Sequence, residues 1–261
     1  MGELIIIRGG GDMATGVAQK FFRSGFKVLI LESSAPTAIR RTVALCEAVY
    51  NGVAKVEDMV CRRADSIPDI SWENGEIPLL VDPNGESIKT LRPAAVIDAI
   101  IAKRNLGTNR QMAPVTIGLG PGFTAGVDVD VVIETMRGHD LGRLILEGAA
   151  MPNTGVPGLI GGKSAQRVIY SPAKGKVKHN CAIGDVVQEG DILFHVDDIP
   201  APAPFTGLVR GLIRDGMMVP KGMKSADIDP RTNVDIYTVS DKARCIGGGA
   251  LEAFLYMKGQ K

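Results

Sequence analysis

The chain has 261 residues, of which 45% are hydrophobic and 23% are charged. That length suits one large α/β domain or a domain with a smaller companion, and the composition excludes an intrinsically disordered chain. The 30 basic and 29 acidic side chains leave a formal net charge of +1. Charge therefore favours neither nucleic acid nor an anionic membrane as the main partner, which leaves specific small ligands.

The longest apolar run near the start covers only residues 4–7, far fewer than the roughly 18 that a membrane span needs. We therefore expect a cytoplasmic protein that does not associate with a membrane. The four cysteines, Cys46, Cys61, Cys181 and Cys245, are far apart and form no CxxC pair. Their spacing predicts separate reduced thiols and no metal site.

The first forty residues predict a β-strand, an α-helix and a second strand. Residues 4–7 are β-branched and apolar and end at a glycine-rich turn, and apolar residues then recur at helical spacing over 13–22. A second apolar run, 26–31, ends at Glu32. This order is typical of one βαβ unit of a parallel sheet.

The turn matches the G-x-G-x-x-A form of the dinucleotide-binding fingerprint at Gly9, Gly11 and Ala14. The small residues allow the turn, the approach of a pyrophosphate to backbone N–H groups, and close helix packing. Glu32 follows roughly 20 residues later, where a carboxylate binds ribose hydroxyls and disfavours a 2′-phosphate. A tight turn with nothing bound is the alternative, and Asp12 is also an N-cap candidate. The candidate ligand-binding residues here are Gly9, Gly10, Gly11, Asp12, Met13, Ala14 and Glu32.

The middle of the chain is less regular. We predict a helix over 35–50, a strand or short helix over 55–64, a strand over 77–82, a helix over 93–103 and a strand over 113–119.

A second glycine-rich loop follows the last of these strands, with Gly118, Gly120 and Gly122. Since the carboxyl ends of parallel strands meet at one edge of a sheet, the loop is a candidate second half of the same ligand site. A surface turn is the alternative. Residues 127–135 then alternate as a strand.

That strand carries Asp128, Asp130 and Glu134 on one face, which suits a cation, acid–base chemistry or a solvated surface. Arg137, His139 and Arg143 follow and are candidates for binding an anionic ligand. Nothing nearby supplies a nucleophile, so the catalytic residues stay unknown.

The last hundred residues contain an internal repeat with a shift of 32, in which the Pro, Gly and Val positions of 172–190 recur in 204–222. Two copies of one unit should interlock as a small β-barrel or sandwich. The segments SPAKGKV, GDVVQEGDILFHV and APFTGLV resemble the biotinyl/lipoyl-like barrel-sandwich hybrid, but the lysine that carries the cofactor in that family is missing. Residues 157–164 end like a P-loop, but Pro157 replaces its first glycine.

We therefore predict an α/β protein with a Rossmann-like parallel-sheet domain over 1–163 and a barrel-sandwich hybrid over 164–240. Residues 241–261 should form a C-terminal helix, starting at Gly247, that packs back on the first domain.

Three segments carry a resemblance that spans nearly the whole chain: GGGDMATG at 9–16, the block at 118–143, and GGKSAQRVIYSPAKG at 161–175. They resemble the YqeB family of selenium-dependent molybdenum hydroxylase systems, which is distantly similar to the XdhC/CoxI maturation factors. The resemblance implies a role in maturing a molybdenum hydroxylase, by holding the molybdenum cofactor or by passing sulfur or selenium to it. Similarity to the XdhC group also implies a possible homodimer.

The residues are compatible with molybdopterin, an anionic pterin phosphate, or with an NAD-like dinucleotide. An NAD-dependent oxidoreductase and a nucleotide-sensing regulator stay open as alternatives. A histidine with a carboxylate partner, as a dehydrogenase would use, is not evident.

Overall fold

The computed structural model describes residues 2–156 and 158–260, so Pro157 of the P-loop comparison lies outside them. The chain divides into two compact units. The first consists of Met1–Pro36, Val43–Asn153 and Val239–Lys261, and the second of Thr37–Thr42 and Thr154–Thr238. The break after Asn153 precedes the expected boundary at 163, and a short early segment joins the second unit.

The first unit is built on a nine-stranded sheet with the order β10-β9-β7-β6-β1-β2-β5-β4-β3. Its inner strands are parallel, and the edge strands β10 and β3 are antiparallel to their neighbours. The elements of this unit are β1 (Leu4–Arg8), α1 (Asp12–Arg23), β2 (Lys27–Glu32), α2 (Ala48–Asn51), β3 (Val53–Val56), β4 (Met59–Ala64), β5 (Ile77–Val81), α3 (Ile88–Leu91), β6 (Ala95–Asp98), β7 (Val115–Leu119), β8 (Thr124–Ala125), β9 (Val131–Ile133), β10 (Leu144–Ile145), β11 (Gly148–Ala149) and α4 (Asp241–Gly259).

Strand β1 is the middle strand of the sheet, and later strands lie on both sides of it. It pairs with β2 on one side and with β6 on the other, both in parallel. Ile5, Ile6 and Ile7 are fully buried, as expected for a β-branched strand covered on both faces. The predictions of β1, α1 and β2 are confirmed, and the loops after β1 and β6 leave the sheet at the position where open α/β sheets bind ligands.

The predicted helix over 35–50 is wrong. Residues 41–43 and 45–47 form single 3-10 turns, and only Ala48–Asn51 is α-helical. The reason is tertiary, since residues 37–42 belong to the second unit, where the amide of Leu212 donates to the carbonyl of Ile39 at 2.8 Å.

The predicted helix over 93–103 is also wrong, because Ala95–Asp98 is the strand β6 between β1 and β7. All four of its residues are buried. A strand buried on both faces has no alternation of polar and apolar residues, so its pattern does not distinguish it from a buried helix. The strand predicted over 127–135 is shorter, with β9 limited to Val131–Ile133.

The C-terminal helix α4 begins at Asp241, not at Gly247 as predicted. The hydroxyl of Ser240 accepts a hydrogen bond from the amide of Ala243 and caps the helix. The helix packs on α1 with its glycines facing the α1 backbone: a Cβ on Gly247 would lie 2.3 Å from the carbonyl oxygen of Gly16. Glycine at both positions therefore allows the two helices to meet backbone to backbone.

The second unit contains two four-stranded antiparallel sheets, β12-β19-β17-β14 and β16-β15-β13-β18. Three pairs of equivalent strands begin 32 residues apart, and the pairing is reciprocal: Gly175 pairs with Val219, and Gly207 with Val187. Each sheet thus contains strands from both copies. The strands are β12 (Val168–Tyr170), β13 (Gly175–His179), β14 (Val186–Val187), β15 (Ile192–Val196), β16 (Ile199–Pro202), β17 (Gly207–Leu212), β18 (Met218–Val219) and β19 (Lys224–Asp229).

Within the described residues, no helix is both long enough and apolar enough to cross a membrane.

Candidate functional site

The glycine bend between β1 and α1 is held largely by the chain itself. Gly9 has φ +95°, and a Cβ there would lie 3.0 Å from the carbonyl oxygen of Ala99. A Cβ on Gly10 would meet the backbone of Cys46 at 3.0 Å, and the carbonyl of Gly10 accepts from the amide of Cys46 at 2.8 Å. Packing within the protein therefore explains the first two glycines of the bend without a ligand.

Gly11 is different, because a Cβ built on it would meet nothing within 4 Å. It is the N-cap of α1 and makes no side-chain cap, and its carbonyl accepts the first helical bond, from Thr15 at 2.8 Å. Asp12 is the first helical residue, not the N-cap, and its carboxylate accepts from the amide of Met13 at 3.0 Å. Ala14 lies on the buried face of α1. The space beside Gly11 is thus open toward the positive end of α1.

The structure brings Glu32 to this bend. One carboxylate oxygen accepts from the amide of Gly10 at 2.8 Å, and the other accepts from the amide of Ser33 at 2.7 Å. A carboxylate has about four acceptor positions, so each oxygen keeps the capacity for a further hydrogen bond. The residue is half-buried. Glu32 thus orients the bend and has acceptor capacity for ribose hydroxyls.

The second glycine loop follows β7 at the same carboxyl edge as the bend, two strands from β1. Its glycines contact the chain: a Cβ on Gly118 would lie 2.5 Å from the Phe123 ring, and one on Gly120 would lie 2.4 Å from the Thr135 hydroxyl. A Cβ on Gly122 would lie 2.6 Å from the amide nitrogen of Arg104. Close internal packing accounts for all three glycines.

The three carboxylates of 127–135 do not gather in one place. Asp128 accepts from the amide of Thr124, and Asp130 accepts from Thr116 and pairs with Arg110 at 2.9 Å. Within the described residues, no group of three or more acidic, histidine or cysteine side chains has the geometry of a metal site.

Glu134 is 3% exposed and accepts hydrogen bonds from the amides of Thr135, Met136 and Met151. Its carboxylate therefore holds the loop after β9 in place.

The predicted basic group is spread over paired side chains. Arg137 forms two hydrogen bonds with Asp241, at 2.7 and 2.9 Å, at the start of α4. Arg143 pairs with Asp140 at 3.1 Å and lies 3.4 Å from the exposed ring of His139. Arg137 therefore ties a loop to α4, while the other two lie in an exposed loop.

Sequence reasoning missed a buried polar group at the carboxyl ends of β1 and β6. Arg8 is 2% exposed, donates to the carbonyl of Pro83 at 2.9 Å and to the hydroxyl of Thr108, and lies 3.7 Å from Asp98. Thr108 in turn donates to Asp98 at 2.6 Å. The signal was Asp98 at the end of an apolar run, which the mistaken helix over 93–103 concealed.

Burial raises the pKa of the Asp98 carboxyl, although hydrogen bonds from Thr108 and from the amide of Ile100, and the charge of Arg8, act in the opposite direction. Asp98 is therefore a costly buried charge located beside the glycine bend.

A cavity of about 790 Å³ lies elsewhere in the first unit. Pro93 and Pro114, which precede β6 and β7, contribute to its lining together with Lys89 and Arg92. Its lining includes no residue of the glycine bend and not Glu32, so the cavity is distinct from the bend.

Comparison with known proteins gives one strong match in sequence. Over 261 residues, 99% of its length, the chain is 50% identical to an uncharacterized protein, YqeB, of Escherichia coli strain K12. The chain belongs to the YqeB family. It spans 48% of that relative's length, and no family model matches it.

Solved structures give only weak likenesses to this YqeB-family chain. An aspartoacylase family protein from Mesorhizobium loti is 12% identical with a TM-score of 0.28, covering 87% of this chain and 85% of the other. The ectoine utilization protein EutE (DoeB) from Ruegeria pomeroyi, in its apo form, is 10% identical with a TM-score of 0.26, covering 87% and 86%.

The thiols of the YqeB-family chain differ in exposure. Cys46 and Cys61 are buried, and burial raises the pKa of both well above the ordinary range, so neither is a thiolate at neutral pH. Burial also raises the pKa of the half-buried Cys181 to about 11. Cys245 is exposed on α4 and donates to the carbonyl of Leu141 at 3.1 Å. Cys245 is therefore an exposed thiol of the first unit that lies outside the residues 1–163 predicted for that domain.

Proposed function

We propose that the chain binds a phosphate-bearing nucleotide or pterin cofactor at the N-terminus of α1 and acts as an accessory factor in maturing a selenium-dependent molybdenum hydroxylase. One observation carries the binding proposal: Gly11 faces open space at the start of α1, and the carboxylate of Glu32 accepts a hydrogen bond from the neighbouring amide of Gly10. The maturation role comes from the resemblance of the sequence to the YqeB systems.

The physical support is electrostatic. The amides in the first turn of a helix have no acceptor within the helix, and the helix dipole favours an anion beside them. Of the first-turn amides, that of Met13 is already met by Asp12. A phosphate at Gly11 would use the remaining first-turn amides.

The finer fold is part of the same proposal. In the first unit the inner strands are parallel, later strands lie on both sides of β1, and a glycine bend leads from β1 into α1. These features support a Rossmann-like first unit. The reciprocal pairing of the two copies in the second unit supports a barrel-sandwich hybrid. In neither unit does the proposal require a covalent cofactor.

An NAD-dependent oxidoreductase is the second candidate, and the acceptor capacity of Glu32 favours it because an adenine-ribose diol would fit that carboxylate. The two functions differ in their ligands and in turnover. A maturation factor is expected to bind a pterin phosphate without hydride transfer, and a dehydrogenase to bind NAD and oxidise or reduce a substrate.

The experiment begins with mass spectrometry of small molecules released from freshly purified protein, followed by calorimetry with NAD and with any pterin phosphate that is found. A pterin phosphate together with capture of a molybdenum hydroxylase supports the maturation role. Bound NAD with hydride transfer supports the oxidoreductase instead. Purified protein that neither contains nor binds a phosphate-bearing ligand would overturn both.

Substitution of Gly11→Asp tests the position of the site. The residue has φ −67° and open space, and aspartate is a good N-cap, so the fold should tolerate it. The added carboxylate should weaken binding of an anionic ligand by about tenfold or more, through like-charge repulsion at short range. Calorimetry with the ligand identified above measures the loss.

Two control variants separate charge from size and position. Gly11→Asn has the same shape without the charge and should bind more tightly than Gly11→Asp. Gly248→Asp adds the charge on α4, where a Cβ also meets nothing within 4 Å, and should leave binding unchanged. Equal affinity of Gly11→Asp and the unaltered chain would place the ligand elsewhere.

A further inference from the structure

Two buried arginine–aspartate pairs lie side by side in the second unit. Arg210 of β17 pairs with Asp229 at 3.2 Å, and Arg167 pairs with Asp227 at 3.1 Å. Both carboxylates belong to β19, and all four side chains are at most 7% exposed. Burying such charged groups carries a considerable desolvation penalty, so their arrangement needs an explanation.

The backbone directs these side chains to one place. Val209 pairs with Ile228 and Gly211 with Asp227, so Arg210 is an extra residue in β17, at a β-bulge. Bulges change the direction of a side chain and are frequent beside functional sites. Arg40 lies close by, because a Cβ on Gly211 would be 3.2 Å from its Cγ.

The guanidinium groups are incompletely satisfied. The Nε atoms of Arg167 and Arg210 are buried and have no hydrogen-bond partner among the described residues. Asp229 is shared by two arginines: Arg231 donates to both of its oxygens at 2.9 and 2.8 Å, and Arg210 donates to it through Nη1 at 3.2 Å, so the pair leaves the Nε–H of Arg210 without an acceptor among the described residues. A buried N–H without an acceptor is destabilising, and more so when the group is charged.

Further cations lie at the margin of this group. The side chain of Arg231 is 47% exposed, so the group reaches the surface there. Residues 160–163 form a two-residue hairpin turn through Gly161 and Gly162, and a Cβ on Gly161 would lie 2.8 Å from Pro230. The turn ends at Lys163, whose ammonium lies 5.3 Å from the ring centroid of Phe205. The Gly-Gly-Lys-Ser segment that looked like a P-loop is therefore a turn packed beside Arg231.

We propose that this group binds a compact oxyanion of the phosphate type, with the Nε–H groups of Arg167 and Arg210 as buried donors and Arg231 and Lys163 at the entrance. Guanidinium donors match phosphate oxygens in charge and geometry, and an oxyanion supplies the acceptors that the two Nε–H groups lack. The site is separate from the N-terminus of α1 and does not depend on the function proposed there.

The charge state of Arg210 points the same way. Burial lowers the pKa of its guanidinium, and the positive charges of Arg40 and Arg167 act in the same direction, against Asp227 and Asp229. A bound anion would oppose both causes, because it compensates positive charge that has been removed from water.

The test is titration of the full chain with inorganic phosphate at constant ionic strength, followed by calorimetry, with chloride as the reference. We expect one saturable site, weakened about tenfold in Arg231→Gln and in Lys163→Gln, since each removes one charge-assisted contact. Lys221→Gln, an exposed cation of the same unit, is the matched control and should change nothing. Absence of saturable binding, or equal affinity in all variants, would overturn the proposal.

Arg210→Lys tests the buried donor directly. Lysine keeps the positive charge beside Asp229 but lacks the Nε–H, so phosphate binding should be lost while the NMR signals of His179 and His195 show that the unit stays folded. Retained affinity in a folded Arg210→Lys chain contradicts the proposal. Loss of phosphate binding in Gly11→Asp but not in Arg210→Lys would also contradict it, because the anion would then lie at α1.

Competition identifies the source of the oxyanion. Displacement of inorganic phosphate by phenyl phosphate indicates the phosphate group of a larger molecule, and its failure to compete indicates a free ion. The proposed site is supported in either case, since the phosphate chemistry is shared.

Discussion

Asp98 shows how a single residue links the fold to the candidate site. It ends the strand beside β1, accepts hydrogen bonds from Thr108 and Ile100, and lies 3.7 Å from the buried Arg8. Removal of one partner from such a buried pair leaves an uncompensated charge, which typically costs about 3–5 kcal/mol. The group therefore fixes the loop after β6, on which Gly9 packs.

The raised pKa of Asp98 predicts a specific dependence of stability on pH. A carboxyl whose pKa is higher in the folded chain than in the unfolded chain binds more protons when folded. Its contribution to the free energy of unfolding is fully present below the unfolded pKa, about 4, and is lost as the pH rises through the folded pKa. Asp98→Asn removes this titration.

Urea unfolding of the unaltered chain and of Asp98→Asn, compared from about pH 3.5 to pH 7, measures the effect. The stability of the unaltered chain relative to Asp98→Asn should fall as the pH rises. A relative stability that rises with pH would mean that Arg8 outweighs burial and that the pKa is lowered instead.

Among the elements, the contact between α1 and α4 makes the sharpest prediction, because two adjacent glycines of α4 have opposite surroundings. A Cβ on Gly247 would lie 2.3 Å from the carbonyl oxygen of Gly16, whereas a Cβ on Gly248 would meet nothing within 4 Å. Alanine is the better helix former at both positions, by roughly 1 kcal/mol.

Gly248→Ala should therefore stabilise the chain by roughly 0.5–1 kcal/mol. Gly247→Ala should destabilise it by about 1–3 kcal/mol, since the clash with the backbone of α1 outweighs the helix propensity. Urea unfolding gives both values, and the two substitutions serve as controls for each other. Equal effects would mean that α1 and α4 separate easily enough to admit a methyl group.

The elements also show what the sequence could predict. The strands β1, β2, β5 and β7 and the helix α1 followed from short apolar runs and helical spacing, because local pattern and tertiary position agree there. The strand β6 was missed because it is buried on both faces and Pro93 precedes it as it would precede a helix. The segment 35–50 was misread because residues 37–42 pair with β17, a contact that no local pattern contains.

The candidate site followed the same rule. The relation of Glu32 to the glycine bend was predictable, since a strand end and the following turn share one edge of a parallel sheet. The partner of Arg137 was not predictable, because Asp241 is distant in the sequence. The partner of Arg210 was not predictable either, because Arg210 lies at a bulge that changes the direction of its side chain. Polar pairs of this kind depend on side-chain direction, which periodicity does not specify.

At the scale of the whole molecule, the first unit is assembled from three segments, so the last of them is needed to complete its core. Phe254 of α4 is 1% exposed, and its ring packs edge-to-face on Phe21 and Phe26, with ring centroids 5.8 and 5.3 Å apart. All three rings belong to the first unit. A large-to-small change at Phe254 should therefore unfold that unit at lower denaturant.

Phe254→Ala is expected to lower the stability of the first unit by about 3–5 kcal/mol, from lost burial and the cavity that is left. Fluorescence of Trp72 reports on this unit, because it is the single tryptophan and its indole donates to the carbonyl of Val28 at 2.8 Å. The NMR signals of His179 and His195 report on the second unit. Tyr256→Ala, which removes a ring 44% exposed on the same helix, is the control and should shift the Trp72 transition far less.

If the two units unfold independently, urea should shift the Trp72 transition of Phe254→Ala while the histidine signals persist to the same denaturant concentration as in the unaltered chain. Simultaneous loss of both sets of signals would contradict this and would show that the interlaced segments make one cooperative unit. Independent unfolding has a functional consequence, because the oxyanion group of the second unit would then keep its phosphate affinity in Phe254→Ala, even under conditions that unfold the bend at Gly11.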